Sequence, residues 1–154
     1  MMLASVISLQ SFRSNDCNEI TDASIISIST HCSGLQSLHL ERCDEITDVS
    51  IISISTHCTG LQSLNLSLWF WIQITDACII PISENCTGLK RLDVSWTKIT
   101  DASLIAIAKN CIELQLLETE GCFELSHHKL RRDDFKSVSD LRAVLMSIYP
   151  SLPN

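Results

Sequence analysis

Apolar residues recur along this chain in blocks of about 25 residues. Each block opens with Ile-Thr-Asp, continues through an isoleucine-rich run, and ends in a segment where leucines alternate with polar residues. The clearest block runs from Ile46 to Leu66, and the opening triplet begins at Ile20, Ile46, Ile74 and Ile99. A self-similar period in the twenties indicates a solenoid, in which each repeat buries its apolar face against its neighbours.

The isoleucine-rich runs have helical spacing and a typical helix start. A threonine hydroxyl can accept an unpaired N–H group of the first turn, and the aspartate after it favours the positive end of the helix dipole. In the first run Ile25, Ile28 and Cys32 share one face, which we expect to pack on the strands. A second column is expected to be buried between neighbouring helices: Ile26, Ile52, Ile80 and Ile105. The expected N-caps are Thr21, Thr47, Thr75 and Thr100.

The alternating segments predict short parallel strands near residues 10–14, 36–40, 62–66, 90–94 and 115–119. Because neighbouring side chains of a strand point to opposite faces, the leucines turn into the core and the residues between them line a concave face. Residues 1–125 are therefore predicted to form about five repeats of an α/β solenoid, the first incomplete, with strands inside and helices outside.

The repeat unit also resembles a known family. The pattern Leu-x-x-Leu-x-Leu-x-x-Cys, which ends on Cys43 and is followed by Ile46-Thr47-Asp48, resembles the cysteine-containing leucine-rich repeat. That subfamily is best known from F-box proteins, the substrate receptors of SCF-type ubiquitin ligases. The resemblance covers roughly residues 9–125, and it implies a right-handed leucine-rich-repeat arc with a ligand-reading surface. Because the first repeat is already running at Leu9, we expect no F-box before it.

The concave face is the main candidate binding surface. Its middle column changes from basic to acidic along the predicted sheet: Arg13, His39, Asn65, Asp93 and Glu118. Further polar candidates beside that column are Glu41, Arg91 and Glu120. Such a face suits a protein or peptide partner of mixed charge, and an ordinary solvated face is the alternative interpretation. Strands about 4.8 Å apart give a face only about 20 Å across, which is small for a protein interface.

The third repeat departs from the pattern in two places. Two extra residues turn its post-strand turn into the segment 68–72, and Pro81 is expected to kink the next helix. We hypothesise an aromatic knuckle at the C-terminal ends of the strands that anchors a partner. Its residues would be Trp69, Phe70, Trp71 and Trp96. Alternatively, Trp69 or Trp71 fills the core position that cysteine holds in other repeats.

The period is expected to fail after Cys122. Residues 126–154 are predicted to form a charged loop, solvated around residues 131–134, and a C-terminal capping helix. Ser137 is the expected N-cap of this helix, and Pro150 ends it. One helical face is formed by Val138, Leu141, Leu145 and Ile148. A helix that binds a partner is the alternative interpretation.

Composition narrows the function classes. A net charge of −7 and a pI of about 5.1 disfavour binding to nucleic acid or to an anionic membrane surface. Most of the eight cysteines fall in two repeat columns, which indicates buried, reduced thiols and a cytoplasmic or nuclear location. These columns are Cys17, Cys43 and Cys122 after the strands, and Cys32, Cys58, Cys86 and Cys111 at the helix ends. We expect no metal site, no cofactor and no catalysis.

The predicted function is protein–protein recognition. The family resemblance implies a substrate-receptor-like module whose partner would be a ubiquitin-ligase substrate or adaptor. A stand-alone leucine-rich-repeat scaffold or regulator without a ubiquitin role is the first alternative, and a truncated fragment of a longer repeat protein is another. A small-molecule sensor ranks below these. The uncapped first strand is an apolar edge, so self-association through it is also expected.

Overall fold

The computed structural model describes residues 9–14, 19–67, 73–131 and 134–151. Within these ranges short strands and helices alternate along the chain, and each strand–helix pair corresponds to one sequence repeat. The strands are β1 (Ser11–Arg13), β2 (Ser37–His39), β3 (Ser63–Asn65), β4 (Arg91–Asp93) and β5 (Leu116–Glu118). The helices are α1 (Asp22–His31), α2 (Asp48–His57), α3 (Asp76–Asn85), α4 (Asp101–Asn110) and α5 (Val138–Ile148).

The strands form one parallel sheet in the order of the sequence, β1-β2-β3-β4-β5. Each strand is shorter than the five-residue segments predicted for it, but hydrogen bonding extends past the strand ends. At the start, Gln36 N donates to Gln10 O at 2.8 Å, and at the end Ser14 N donates to His39 O at 2.9 Å. The predicted α/β solenoid is therefore confirmed.

The core lies between the sheet and the helices. The inward leucines of the strands, such as Leu38, Leu64 and Leu92, are fully buried. The helical face predicted to pack on the strands is buried completely in α2, α3 and α4, and less so in α1, where Ile28 and Cys32 are half-buried. Burial of apolar area along this single continuous core is the main stabilising contribution.

The contact between neighbouring helices differs from the prediction. Ile52 is 39% exposed, and its equivalents in the other helices are only half-buried, so this column does not form a buried seam. One column of small residues is buried instead: Ser29, Ser55, Ser83 and Ala108. Each of these serines donates its hydroxyl to the carbonyl three residues earlier, as Ser55 does to Ile52 O at 2.7 Å. Small side chains with internally satisfied hydroxyls let adjacent helices approach closely.

The helix starts contain a link between repeats. Thr47, Thr75 and Thr100 cap their helices as predicted, but the side chain of Thr21 makes no cap bond. The aspartate after each threonine reaches the next repeat: Asp48 accepts from both Thr75 N (2.8 Å) and Thr75 Oγ1 (2.6 Å). The same pair of bonds joins Asp22 to Thr47, Asp76 to Thr100 and Asp101 to Ser126. The aspartates therefore do more than complement the helix dipole.

At three of these carboxylates, hydrogen bonds lower the pKa by more than burial raises it. Burial by itself would raise the pKa of Asp76, but hydrogen bonds from Ser103 and Thr100 lower the pKa below its ordinary value of 3.8. The pKa values of Asp22 and Asp101 are lowered for the same reason. These aspartates are therefore held in the charged form that accepts the inter-repeat bonds.

Pro81 lies inside α3, where the sequence predicted a kink. The helix nevertheless spans ten residues, as do α1, α2 and α4. The missing N–H of this proline therefore does not shorten the helix.

The C-terminal region covers the last repeat more fully than predicted. Ser126 continues the aspartate–hydroxyl links, so the repeat pattern does not stop at Cys122. Two buried residues, Leu130 and Phe135, flank the charged stretch 131–134 that is expected to be solvated. Phe135 pairs with Leu117 of β5 through both backbone bonds, N to O at 2.7 and 2.9 Å, in an antiparallel bridge. This bridge covers the edge of β5, and the boundary placed at residue 125 stays a prediction.

Helix α5 packs against α4 as a cap. Ser137 caps its N-terminus by accepting from Asp140 N at 3.1 Å, as predicted. Leu141 and Leu145 are buried in the shared core, whereas Ile148 is half-buried. Two polar contacts fix the helix: Arg142 Nε donates to Ala108 O at 2.8 Å, and the Tyr149 hydroxyl donates to Asp101.

The cysteines of the described ranges behave as core residues. Cys32 is half-buried, and the six others are buried and carry free thiols. Burial raises the pKa of Cys86 to about 12 and that of Cys111 to about 11. A thiol with so high a pKa is protonated at neutral pH and is a poor nucleophile. Cys17 lies outside the described residues.

Candidate protein-binding face and rim

The sheet brings the predicted middle column into one row. Arg13, His39, Asn65, Asp93 and Glu118 occupy the same register position of β1 to β5, each paired with the next. Parallel strands lie about 4.8 Å apart, so these side chains form a continuous polar row. Arg13 is exposed and the other four are half-buried. The side chains of this row therefore change from basic at β1 to acidic at β5, as the sequence predicts.

Hydrogen bonds fix the centre of this row. His39 Nε2 lies 3.2 Å from Ser63 Oγ, and Asn65 Nδ2 donates to Asp93 Oδ2 at 3.2 Å. Asn65 Oδ1 and Asp93 Oδ1 each also accept from the backbone N–H two residues later, at 2.9 and 3.0 Å. The amide and the carboxylate are thus oriented before any partner binds, which lowers the entropy cost of recognition.

His39 is the titratable group at the middle of the face. Burial of the ring, followed by the positive charge of Arg13, lowers the pKa of His39 below its ordinary value of 6.5. Glu41 and Asp93 act in the opposite direction and only partly offset these effects. The ring is therefore neutral at neutral pH and can both donate and accept a hydrogen bond.

The remaining polar candidates flank the row. Arg91 is exposed at the start of β4, beside Leu116 of β5. Glu41 is half-buried and Glu120 exposed, each two residues beyond the row at the C-terminal ends of β2 and β5. The face therefore carries positive charge at Arg13 and Arg91 and negative charge toward β5 and the strand ends.

Trp96 has an unusual backbone conformation. Its φ is +65°, and the equivalent residues of two other repeats, Arg42 and Gly121, have φ of +58° and +67°. Trp96 and Arg42 also make the same backbone hydrogen bond to the next repeat. Trp96 N donates to Glu120 O, and Arg42 N donates to Ser67 O. Glycine adopts this left-handed conformation freely, whereas a side chain with a Cβ loses about 1–2 kcal/mol there. A bulky aromatic residue at such a position is uncommon.

The indole of Trp96 lies on Gly121. A Cβ at Gly121 would come within 2.3 Å of the Cδ2 atom of Trp96, so only glycine fits beneath the ring. The ring of Phe123 meets the indole edge to face, with centroids 5.7 Å apart and an interplanar angle of 69°. Trp96 is 37% exposed and Phe123 is 64% exposed. We call Trp96, Gly121 and Phe123 the aromatic ledge; it lies beyond the C-terminal ends of β4 and β5.

The hypothesised aromatic knuckle stays a prediction. Trp96 is exposed beyond the strand ends, as the knuckle requires. Trp69, Phe70 and Trp71 lie outside the described residues, so their part in the knuckle stays a prediction.

Two residues of the ledge were not identified from the sequence. The repeat pattern marks the leucines and Cys122 of the fifth repeat but gives no role to Gly121 or Phe123. One signal was available: Gly121 stands at the repeat position of Trp96, and a glycine in a turn indicates a positive φ. Phe123 carried no comparable signal.

The described ranges of the chain contain no group of three or more His, Cys, Asp and Glu side chains that could hold a metal ion. None of the helices in those ranges has the length and apolar character needed to cross a membrane.

Comparison with known proteins agrees with this architecture. Residues 31–55 and 85–108 match the family model of the leucine-rich repeat. Together with the sheet and helices described above, these matches indicate the fold of a leucine-rich-repeat solenoid. One similar solved structure is the crystal structure of the Rad7 and Elc1 complex in yeast, with a TM-score of 0.63 and 20% sequence identity. The match covers 75% of this chain and 29% of that chain, and it shows a shared fold. No curated protein sequence matches the chain.

Proposed function

We propose that this leucine-rich-repeat chain is a protein-recognition module. It binds its partner through the polar sheet face and the turns that follow the strands, which carry Glu41, Trp96 and Glu120. The observation that carries the proposal is the row from Arg13 to Glu118, which holds oriented polar groups and opposite charges at its two ends. Charge complementarity of this kind selects a partner and fixes its register. Leucine-rich repeats commonly act as such interaction modules, and the chemistry of the face requires no catalysis.

The partner class follows from the family resemblance. We propose a substrate-receptor or adaptor role like that of the repeats in SCF-type ubiquitin ligases, with a ubiquitin-ligase substrate or adaptor as partner. Rad7, which shares the fold, was crystallised in a complex with Elc1, and this supports assembly with another protein. The matched region is under a third of that neighbour, so its whole activity is not carried over. A scaffold without a ubiquitin role is the alternative function.

Capture of partners from cell extract tests the proposal. The face variant is Arg91→Ser with Glu120→Ser, which removes two exposed side chains of opposite charge. The matched control is Lys109→Ser with Glu84→Ser, which makes the same kind of change on the exposed surface of α4 and α3. Circular dichroism and urea unfolding establish that both variants are folded.

The expected result is that specific partners are lost with the face variant and retained with the helix-side control. A Skp-type adaptor, a cullin or ubiquitinated proteins among them would support the ligase role, and other partners would favour the scaffold. Equal capture by all three proteins would contradict binding through the face. Self-association through the outer edge of β1 stays a separate prediction, which sedimentation of the purified chain tests.

A further inference from the structure

Charge on the sheet face is also divided along the direction of the strands. The residues that directly precede the strands include a lysine and no carboxylate: Gln10, Gln36, Gln62, Lys90 and Gln115. The first residues of the strands add an arginine and again no carboxylate: Ser11, Ser37, Ser63, Arg91 and Leu116. Carboxylates such as Asp93 and Glu120 lie at or beyond the strand ends. The start of β4 is therefore a basic position on the face of an acidic chain.

The guanidinium of Arg91 is available to a partner. Arg91 is exposed, and among the described residues its side chain makes no ion pair and no hydrogen bond. Asp93, the carboxylate two residues further along β4, is directed elsewhere: it accepts from Asn65 Nδ2 at 3.2 Å and from Ser95 N at 3.0 Å. The guanidinium therefore keeps its N–H donors for a ligand.

Neutral polar groups and a second cation lie next to this guanidinium. Ser63 is the register partner of Arg91, and its Oγ lies 3.2 Å from His39 Nε2. Lys90 precedes Arg91, although an exposed ion pair with Glu113, at 3.9 Å, offsets part of its charge. A hydroxyl and an imidazole thus adjoin the arginine at the strand starts, and Arg91 is the cation without a protein counter-ion there.

We infer that the start of β4 binds a glutamate or aspartate side chain of a partner protein, an inference that rests on the proposed recognition function. A guanidinium presents parallel N–H donors that match a carboxylate, and the Ser63 hydroxyl adds a donor beside them. The negative charges of Asp93 and Glu120 disfavour the same side chain at the strand ends. The acidic residue therefore fixes which way the partner lies on the face.

Peptide titration followed by NMR tests the inference on the full chain. The probes are acetylated and amidated peptides in which serine alternates with glutamate or with its neutral isostere glutamine. A third probe is a single-stranded oligonucleotide, because a phosphate also attracts a guanidinium, although the net charge of −7 disfavours nucleic acid. We expect the glutamate peptide to shift the Arg91 Nε–H and His39 ring signals, and the other two probes to leave both unchanged.

Point variants separate the start of β4 from other cations of the chain. Arg91→Gln removes the guanidinium charge, and the matched control Lys109→Gln removes an exposed charge from α4. Circular dichroism and urea unfolding confirm folding of both variants. We expect Arg91→Gln to weaken binding of the glutamate peptide about three- to fivefold, the loss of one exposed ion pair, and Lys109→Gln to change it by less than about twofold.

The titration of His39 supplies a second readout. Burial of the ring and the positive charges of Arg13 and Arg91 lower the pKa of His39, whereas Glu41 and Asp93 raise it. A carboxylate bound beside Arg91 adds negative charge, so the pKa of His39 should rise with the glutamate peptide and stay constant with the glutamine peptide. Arg91→Gln should raise this pKa in the free chain, because one nearby positive charge is lost.

Equal binding of the glutamate and glutamine peptides, or of the glutamate peptide by the wild type and Arg91→Gln, would overturn the inference. Stronger binding of the oligonucleotide would also overturn it and would assign the position to a phosphate. Loss of captured partners in the double variant Arg91→Ser with Glu120→Ser requires no acidic residue in the partner. Failure of the carboxylate inference is therefore distinguishable from failure of the proposed function.

Discussion

Asp48 of one repeat accepts two hydrogen bonds from Thr75 of the next, one from its backbone N–H at 2.8 Å and one from its hydroxyl at 2.6 Å. Equivalent bonds join Asp22 to Thr47, Asp76 to Thr100 and Asp101 to Ser126. In a solenoid each repeat is stabilised mainly by its neighbours. These bonds add a charged, directional contribution to the apolar contact between repeats.

Replacement of Asp48 by asparagine tests this contribution. The two bonds from Thr75 go to separate carboxylate oxygens, and the amide replaces one of these oxygens with an N–H₂ group that cannot accept a bond. Hydrogen bonds to a charged group contribute about 1.5–3 kcal/mol, and we expect Asp48→Asn to lower the free energy of unfolding by about that amount. Urea unfolding measures it. Asp44→Asn, at an exposed turn position after β2, is the control and should change stability by less than about 0.5 kcal/mol. Equal midpoints for the two variants would refute the link.

The lowered pKa values of Asp22, Asp76 and Asp101 predict acid sensitivity. A carboxyl whose pKa is lower in the folded state stabilises the fold above its unfolded pKa of 3.8 and loses that contribution as pH falls through the folded value. Urea midpoints should therefore fall between about pH 5 and about pH 2. In Asp76→Asn the fall should be smaller, although the variant is less stable at neutral pH. An unchanged pH profile in that variant would contradict the prediction.

Gly121→Ala should destabilise the chain through two separate effects. The φ of +67° disfavours any Cβ, and that Cβ would also collide with the indole of Trp96. We expect a loss of about 2 kcal/mol or more. In the background of Trp96→Gly the collision disappears and only the backbone cost remains, so the two substitutions should couple by about 1 kcal/mol. Strict additivity in urea unfolding would show that the indole does not lie on Gly121.

Tyr149→Phe tests the attachment of the C-terminal cap. The hydroxyl donates to Asp101 and lies 3.1 Å from Ser126 Oγ, so its removal leaves the carboxylate with one donor fewer. We expect a loss of about 1–2 kcal/mol, with faster amide exchange in α5 than in α2. Ser147→Ala, which removes a hydroxyl bonded only within α5, serves as the comparison. The same exchange rates in both variants would show that this hydroxyl does not hold the cap.

The repeat pattern was sufficient to predict the strands, the inward leucines and the row from Arg13 to Glu118. All of these depend on the period of the sequence and on the alternation of side chains along a strand. The link from Asp48 to Thr75 was not predictable in this way, because a pattern within one repeat does not show which atoms of the next repeat lie within reach.

The ledge and the cap depend on information that periodicity does not contain. The position of Trp96 over Gly121 follows from a positive φ shared by repeats that differ in sequence there. Phe135 is buried by one antiparallel bridge to Leu117, although it directly follows a charged stretch. The expected burial of Ile52 was wrong: its side chain is 39% exposed, whereas small residues such as Ser55 are buried.

Hydrogen exchange of the chain in complex with a captured partner is the most direct test of recognition through the sheet face. We expect slower exchange in the turns that border the face, around Glu41 and Glu120, and in the ledge at Trp96. We expect no change on the exposed surfaces of α2 and α3. Protection confined to the helices, with unchanged exchange in the strand-end turns, would contradict recognition through the sheet face.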